Sequence, residues 1–200
     1  EAFERALEID ERLRSRWGRA YDHRNTGITL HRLGRLDEAA EHLERAVALA
    51  EEIDDAVNLA KALFYLGDLR FDQQRPDEAE PTLRRALQKA RAVYLPEVEW
   101  RALRSLGLLA RGRGENDAAL DALKQAVEVV EQMRESIKIE ELRSGFLTNK
   151  MDLYEDVVAL LLEMERTEEA FTYSERSRSR NFLDILAGQS LELKTERERQ

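Results

Sequence analysis

The sequence contains no cysteine. Disulfides, thiolate metal sites and a cysteine nucleophile are therefore excluded, and the absence suits a reducing compartment, so a cytoplasmic location is expected. Long apolar runs are also missing. The longest, Val157–Leu162, is six residues, whereas a membrane span needs roughly 20, and no secretory leader is visible. Positive charge is in deficit, with 32 basic against 41 acidic residues and a net charge of −9. A chain whose main partner is a phosphate backbone carries the opposite balance, so nucleic acid is disfavoured as a partner, as a membrane is by the short apolar runs. Proline is scarce at three residues and glycine at nine, leaving few points at which a helix must break. The alternating Val, Ile and Thr runs of strands do not occur. What is present is a mixture rich in Ala, Leu, Glu and Arg, 42% hydrophobic and 36% charged, which reads as an all-α chain.

An internal repeat organises that composition. Gly27, Gly67 and Gly107 are spaced by 40 residues, as are Asp37, Asp77 and Asp117, and Ala39, Ala79 and Ala119. Leu43, Leu83 and Leu123 keep the same phase back to Phe3, and Ala46, Ala86 and Ala126 back to Ala6. Helices that cross closely need little or no side chain at the contact, which accounts for Gly and Ala at fixed phase. Leu43 and Ala46 lie on one helical face. Between each glycine and the following alanine lies a turn: Gly34-Arg35-Leu36-Asp37, Gln74-Arg75-Pro76-Asp77, and Gly112 to Asp117. Asp37 and Asp77 suit an N-cap or first turn, as does Asn116 or Asp117 in the third unit, and Pro76 suits a helix start. The spacing predicts a partial unit at 1–15, then helix-turn-helix units at about 20–54, 55–94 and 96–140.

Leu63-x-x-Leu66-Gly67 followed by Ala79, Leu83 and Ala86 resembles the tetratricopeptide repeat, and Trp100, Leu103, Leu106, Gly107, Ala119, Leu123 and Ala126 repeat the phase. The departure is length, 40 residues against about 34, as in the longer-helix variants resembling kinesin light chains. The resemblance implies a tetratricopeptide-like α-α superhelix, a right-handed solenoid of antiparallel helix pairs stabilised by stacking of neighbours. It further implies that positions 2, 5, 9 and 12 of each first helix line a concave groove. Counted from Ala20, Ala60 and Trp100, these are Tyr21, Arg24, Ile28 and His31; Lys61, Phe64, Asp68 and Phe71; Arg101, Arg104, Leu108 and Arg111. Five basic and three aromatic residues against one acid suggest a partner segment carrying acidic and apolar residues, anchored on Phe64 and Phe71. The alternative is that these arginines pair with acids of adjacent helices.

After about residue 130 the period fails. The second helix of the third unit is expected to run from Asp117 to Glu141, followed by a pair near Leu147–Glu165 and Thr167–Ala187 with Ala170 at the small-residue position. Arg143-x-x-Phe146-Leu147, Leu153-Tyr154, Val157 to Leu162, Glu169-Ala170-Phe171, Glu175-Arg176-Ser177-Arg178-x-Arg180 and Phe182-Leu183-Asp184-x-Leu186 look like the segment preceding a CHAT domain, a caspase-like module. That resemblance implies that 141–200 links the repeats to a C-terminal effector. The start at Glu1 and the charged Lys194–Gln200 segment accordingly suggest a piece of a longer chain.

No nucleophile elbow, phosphate loop or HExxH motif is present. Gly112-x-Gly114 reads as a turn, and Glu51-Glu52 and Asp54-Asp55 as a solvated helix end and cap. His23, His31 and His42 have no metal-ligand spacing and read as scattered surface residues. Arg176 and Arg180 share a helical face, where ion pairs with a neighbouring helix compete with nucleic-acid contact. No catalytic residue, cofactor or metal is expected. The expected function is a protein-binding scaffold regulating an effector. Its rivals are a substrate-presenting part of a caspase-like protease and an oligomerisation array.

Overall fold

A computed structural model describes residue 5 and residues 16–137 and 150–178. The chain divides into two compact units, Glu1–Leu109 and Ala110–Gln200. Among the described residues the regular structure is helical: α1 (Arg16–Arg32), α2 (Leu36–Glu52), α3 (Ala56–Asp72), α4 (Pro76–Ala92), α5 (Pro96–Gly112), α6 (Asn116–Ser136), α7 (Met151–Glu163) and α8, described over 167–178. The expected helix at 1–15 lies outside the described residues apart from residue 5, which is helical and exposed.

Each of the first five helices is 17 residues long, and α1 to α6 begin at 20-residue intervals. The repeat is thus two equal halves, and the length beyond an ordinary tetratricopeptide unit is shared by both helices. The turns explain the regularity. Residues 34, 54, 74, 94 and 114 all have positive φ, between 51° and 77°. After each, an amide reaches back to close the helix end: Arg35 to the Leu30 carbonyl at 3.0 Å, Asp55 to Ala50, Arg75 to Arg70 and Leu95 to Ala90 at 2.9 Å, and Glu115 to Ala110 at 3.0 Å. These left-handed C-caps satisfy carbonyls that would otherwise be orphaned. Gly34 and Gly114 adopt the conformation without steric conflict, whereas Asp54, Gln74 and Tyr94 carry a Cβ in it.

Helix starts are less uniform. Asp55 caps α3, accepting from the Asn58 amide at 2.9 Å. Asp37 and Asp77 lie in first turns, after Arg35 and Arg75 at the cap positions, where their charge favours the helix N-terminus. Pro76 opens α4.

Within the first unit α1 packs on α2, α2 on α3, and α3 on α4. The contact predicted from the glycine phase is present. A Cβ on Gly27 would lie 2.6 Å from Leu43 Cγ, and one on Gly67 would lie 2.7 Å from Leu83 Cγ. Ala39, Leu43, Ala46 and Ala50 on α2, and Ala79, Leu83, Ala86 and Ala90 on α4, are almost fully buried. Small residues let the backbones approach and leucine fills the remaining space.

In the second unit α6 packs on α7. Helix α6 ends at Ser136 rather than near Glu141: Ile137 is extended (φ −77°, ψ 110°), and Ser136 Oγ donates to the Met133 carbonyl at 2.6 Å. A hydroxyl that bonds its own helix end competes with propagation, and the following β-branched residues do not favour it. The continuation toward Glu141, and residues 147–149 and 179–187 of the expected last pair, lie outside the described residues. Ala170 is buried on α8 as its phase predicts. Among the described residues no helix is long and apolar enough to cross a membrane.

Candidate functional site

The first helices α1 and α3, with α5 as far as Leu109, present one shared face of the first unit. In its first turns Trp17 and Tyr21, four residues apart, stack with ring centroids 5.9 Å apart and planes 12° from parallel. They remain 59% and 41% exposed. The Arg24 guanidinium sits 4.8 Å from the Tyr21 centroid. Arg24 is itself buried: Nη1 donates to Asn58 Oδ1 and Nη2 to Asn25 Oδ1 at 3.4 Å. Asn58 Nδ2 donates to Asp55 Oδ2 at 2.6 Å. A buried guanidinium thus reaches the cap of α3 through one amide, fixing α1 against α3. Burial holds its pKa below the ordinary arginine value, yet a guanidinium stays charged.

The middle turns hold Lys61, half-buried, and Phe64, buried and 5.1 Å from the Tyr65 ring. Arg101 Nε lies 3.2 Å from Glu97 Oε1, and its guanidinium is 6.0 Å from the Phe64 ring and 5.5 Å from Trp100. Arg104 is half-buried. In the last turns His31 Nε2 meets Asp72 Oδ2 at 2.7 Å, and Asp68 Oδ1 accepts from Ser105 Oγ at 3.2 Å. Burial, reinforced by the Asp72 charge, pushes the Asp68 carboxyl up from its ordinary pKa, against the Ser105 hydrogen bond and the charges of His31 and Arg101. Ile28, Phe71 and Leu108 are half-buried, and Phe71 packs against the core.

Arg111 belongs to the second unit, where it forms a two-point pair with Glu163: Nε to Oε2 at 3.0 Å and Nη2 to Oε1. That bond raises the Arg111 pKa and lowers that of Glu163. Arg24, Arg101 and Arg111 are thus each engaged within the chain, and Asp55, Glu97 and Asp72 enter the surroundings that the twelve positions had counted as basic. Arg176 likewise reaches Glu131 at 3.3 Å and Arg178 reaches Glu175 at 3.5 Å, while Arg180 lies outside the described residues.

Sequence reasoning missed Trp17, Asn58, Asp72 and Ser105. Trp17 is one turn before Tyr21, and the other three lie 34 to 41 residues from their partners Arg24, His31 and Asp68, close to one repeat length. Extension by one full period leads instead from Arg24, His31 and Asp68 to Phe64, Phe71 and Leu108, so the period carried no signal for the three polar partners. The histidines are also not scattered: His23 and His42 meet with Nδ1 atoms 3.1 Å apart and centroids 5.1 Å apart. Among the described residues no group of three or more His, Asp or Glu side chains is placed to hold a metal.

The family models agree with this architecture. Tetratricopeptide-repeat models match residues 20–53 and 58–132, so the chain carries tetratricopeptide repeats over these residues. Solved structures repeat the fold at low identity. Aspartyl phosphate phosphatase F from Bacillus subtilis is 15% identical with a TM-score of 0.74, over 89% of this chain and 44% of that one. The Rap conjugation gene regulator of plasmid pLS20, solved with a Phr peptide, is 18% identical with a TM-score of 0.63, over 86% and 42%. YrrB, described as a tetratricopeptide-repeat protein with an unusual peptide-binding site, is 18% identical with a TM-score of 0.52, over 94% and 98%. The chain spans less than half the length of the first two. No curated protein matches the sequence.

Proposed function

We propose that this chain is a non-catalytic scaffold that binds a peptide or protein segment along the face shared by α1, α3 and α5. The observation that supports this reading is exposed aromatic surface on an immobilised support: Trp17 and Tyr21 stack in the open, over an Arg24–Asn58–Asp55 network that fixes the helices beneath. Rigid aromatic surface loses little conformational entropy on binding, and it supplies the anchors around which interfaces form. The peptide named with one structurally similar protein and the peptide-binding site named for another support the same ligand class. Phe64, expected as an anchor beside Phe71, is only 5% exposed and belongs to the core, so apolar residues of the segment would lie on Phe71 together with Tyr21, Ile28 and Leu108. The acidic residues expected of it turn to Lys61, since Arg24, Arg101 and Arg111 are engaged within the chain.

The reading extends to regulation, with 1–140 as the receiving part and 141–200 as the junction to an effector. Its support is a buried polar lock in the second unit. Tyr154 Oη donates to Glu131 Oε1 at 2.5 Å and Arg176 reaches the same carboxylate at 3.3 Å, tying α6, α7 and α8 together. The comparisons carry no support for a caspase-like context, so the class of effector stays outside the reading.

Peptides selected from a random display library against the full chain test the proposal. Tyr21→Ala combined with Lys61→Glu, with helicity checked by circular dichroism, should weaken the selected peptides at least about tenfold. Unchanged affinity, or a library from which nothing is enriched, refutes it.

A further inference from the structure

We infer that this face carries a cation-accepting subsite at Asp68, so that the bound segment presents an arginine or lysine side chain there. The inference rests on the peptide-binding reading above and names the chemistry of one position in the ligand. Phe64, Asp68 and Phe71 form one stripe along α3, spaced by four and three residues. Asp68 is thus flanked along the helix by two phenylalanines that pack into or against the core, Phe64 buried and Phe71 half-buried.

What surrounds Asp68 leaves its charge poorly compensated. Its hydrogen-bond donor is the neutral Ser105 hydroxyl at 3.2 Å. One turn further on is a second acid, Asp72, whose Oδ2 is occupied by His31 at 2.7 Å. The guanidinium that acts on Asp68 from α5 is Arg101, which is held 3.2 Å from Glu97 and lies over the Phe64 and Trp100 rings. A largely desolvated carboxylate beside a like charge is unfavourable in the free protein, and the raised pKa of Asp68 reports the same imbalance. An incoming cation would relieve it and form a charge-assisted hydrogen bond at the same time.

Of the two flanking rings Phe71 keeps some surface, whereas Phe64 is buried beneath Arg101. An arginine or lysine has an aliphatic stem that would follow Phe71 while its charged head reaches the carboxylate. An acidic side chain would meet both Asp68 and Asp72. A resident metal ion does not fit, since no group of three ligating side chains is placed to hold one among the described residues. The twelve groove positions, five of them basic and one acidic, suggest a ligand of one sign. The observed pairing suggests a ligand with both, an acid toward Lys61 and a base at Asp68.

The test uses display-selected peptides and the full chain. Peptides enriched on the wild type should share an arginine or lysine at one position, and replacing it with glutamine should weaken binding about tenfold or more. On Asp68→Asn the parent and glutamine peptides should bind equally, because the charge that told them apart is gone. This variant removes an unfavourable carboxylate and should fold at least as well as wild type, and Asp68→Ser provides a second neutral replacement. Peptides whose binding depends on Tyr21 and Lys61 but which carry no cation overturn the inference and leave the groove reading standing. So does a glutamine penalty of the same size in Asp68→Asn. Binding indifferent to the Tyr21 and Lys61 substitutions overturns both.

Discussion

Acidification should weaken this fold in part through one imidazole. His23 lies half-buried between α1 and α2, with its Nδ1 atom 3.1 Å from that of His42. Two neutral rings share one hydrogen at that distance, one donating and the other accepting. Two imidazolium rings have a proton on each nitrogen and repel. Burial, then His42, Arg45 and Arg19 in that order, lower the His23 pKa from 6.5 to about 4. The folded state therefore resists a proton that the unfolded chain takes up readily. Stability from this group is fully present above 6.5 and is lost as the pH falls toward and through about 4. The whole shift corresponds to a ceiling of about 3 kcal/mol. Because the ring is only half-buried, solvent screening reduces the expected effect to about 1–2 kcal/mol.

Carboxylates titrate in the same range, so wild type alone does not isolate the effect. His23→Gln keeps a hydrogen-bonding group facing His42 and removes the titration. Urea denaturation of both proteins at about pH 7.5 and about pH 4.5 gives two stability losses, and wild type should lose about 1–2 kcal/mol more than the variant. Equal losses, or an NMR titration that places His23 near its ordinary value, would refute the argument.

Three further outcomes follow from backbone and packing. Tyr94 has φ 51° and is 90% exposed, so Tyr94→Gly should relieve the left-handed strain and raise stability by about 0.5–1 kcal/mol, read from thermal midpoints. Gly67→Ala places a methyl group 2.7 Å from Leu83 Cγ and 3.2 Å from the Leu83 amide nitrogen. It should destabilise the first unit by about 1–3 kcal/mol in chemical denaturation, and an effect near zero would mean that the helix crossing is looser than described. Asn58→Leu removes the acceptor of Nη1 of the buried Arg24 guanidinium and leaves the 3.4 Å bond from Nη2 to Asn25. A loss of about 2–3 kcal/mol is expected in the same assay, whereas a neutral result would show that Arg24 finds solvent.

The repeat was legible because its contacts depend on residue identity. Only glycine fits where Leu43 and Leu83 press on α1 and α3, so the period is written in residue types. The 20-residue half-period was not legible, because it is written in a backbone state. Gly34, Asp54, Gln74, Tyr94 and Gly114 share a left-handed conformation while sharing little chemistry. The groove positions could be numbered from the pattern, but their charge balance could not, since counting treats every side chain as free. Arg111 reaches an acid 52 residues on and Arg24 an amide 34 residues on. The first of these crosses into the aperiodic segment, where the period offers no guide. His23 and His42, on facing helices of one pair, show the same limit at short range.

Uniform turns restrict how such a gene can change length. Helices with their glycines turned inward alternate with helices that supply leucine to meet them, at 20-residue intervals. Losing or duplicating one interval would reverse that order for everything downstream and bring like surfaces together. Losing or duplicating two would restore it. Viable length variants of the array should therefore differ by whole pairs, which makes the 40-residue pair, and not the helix, the unit of inheritance.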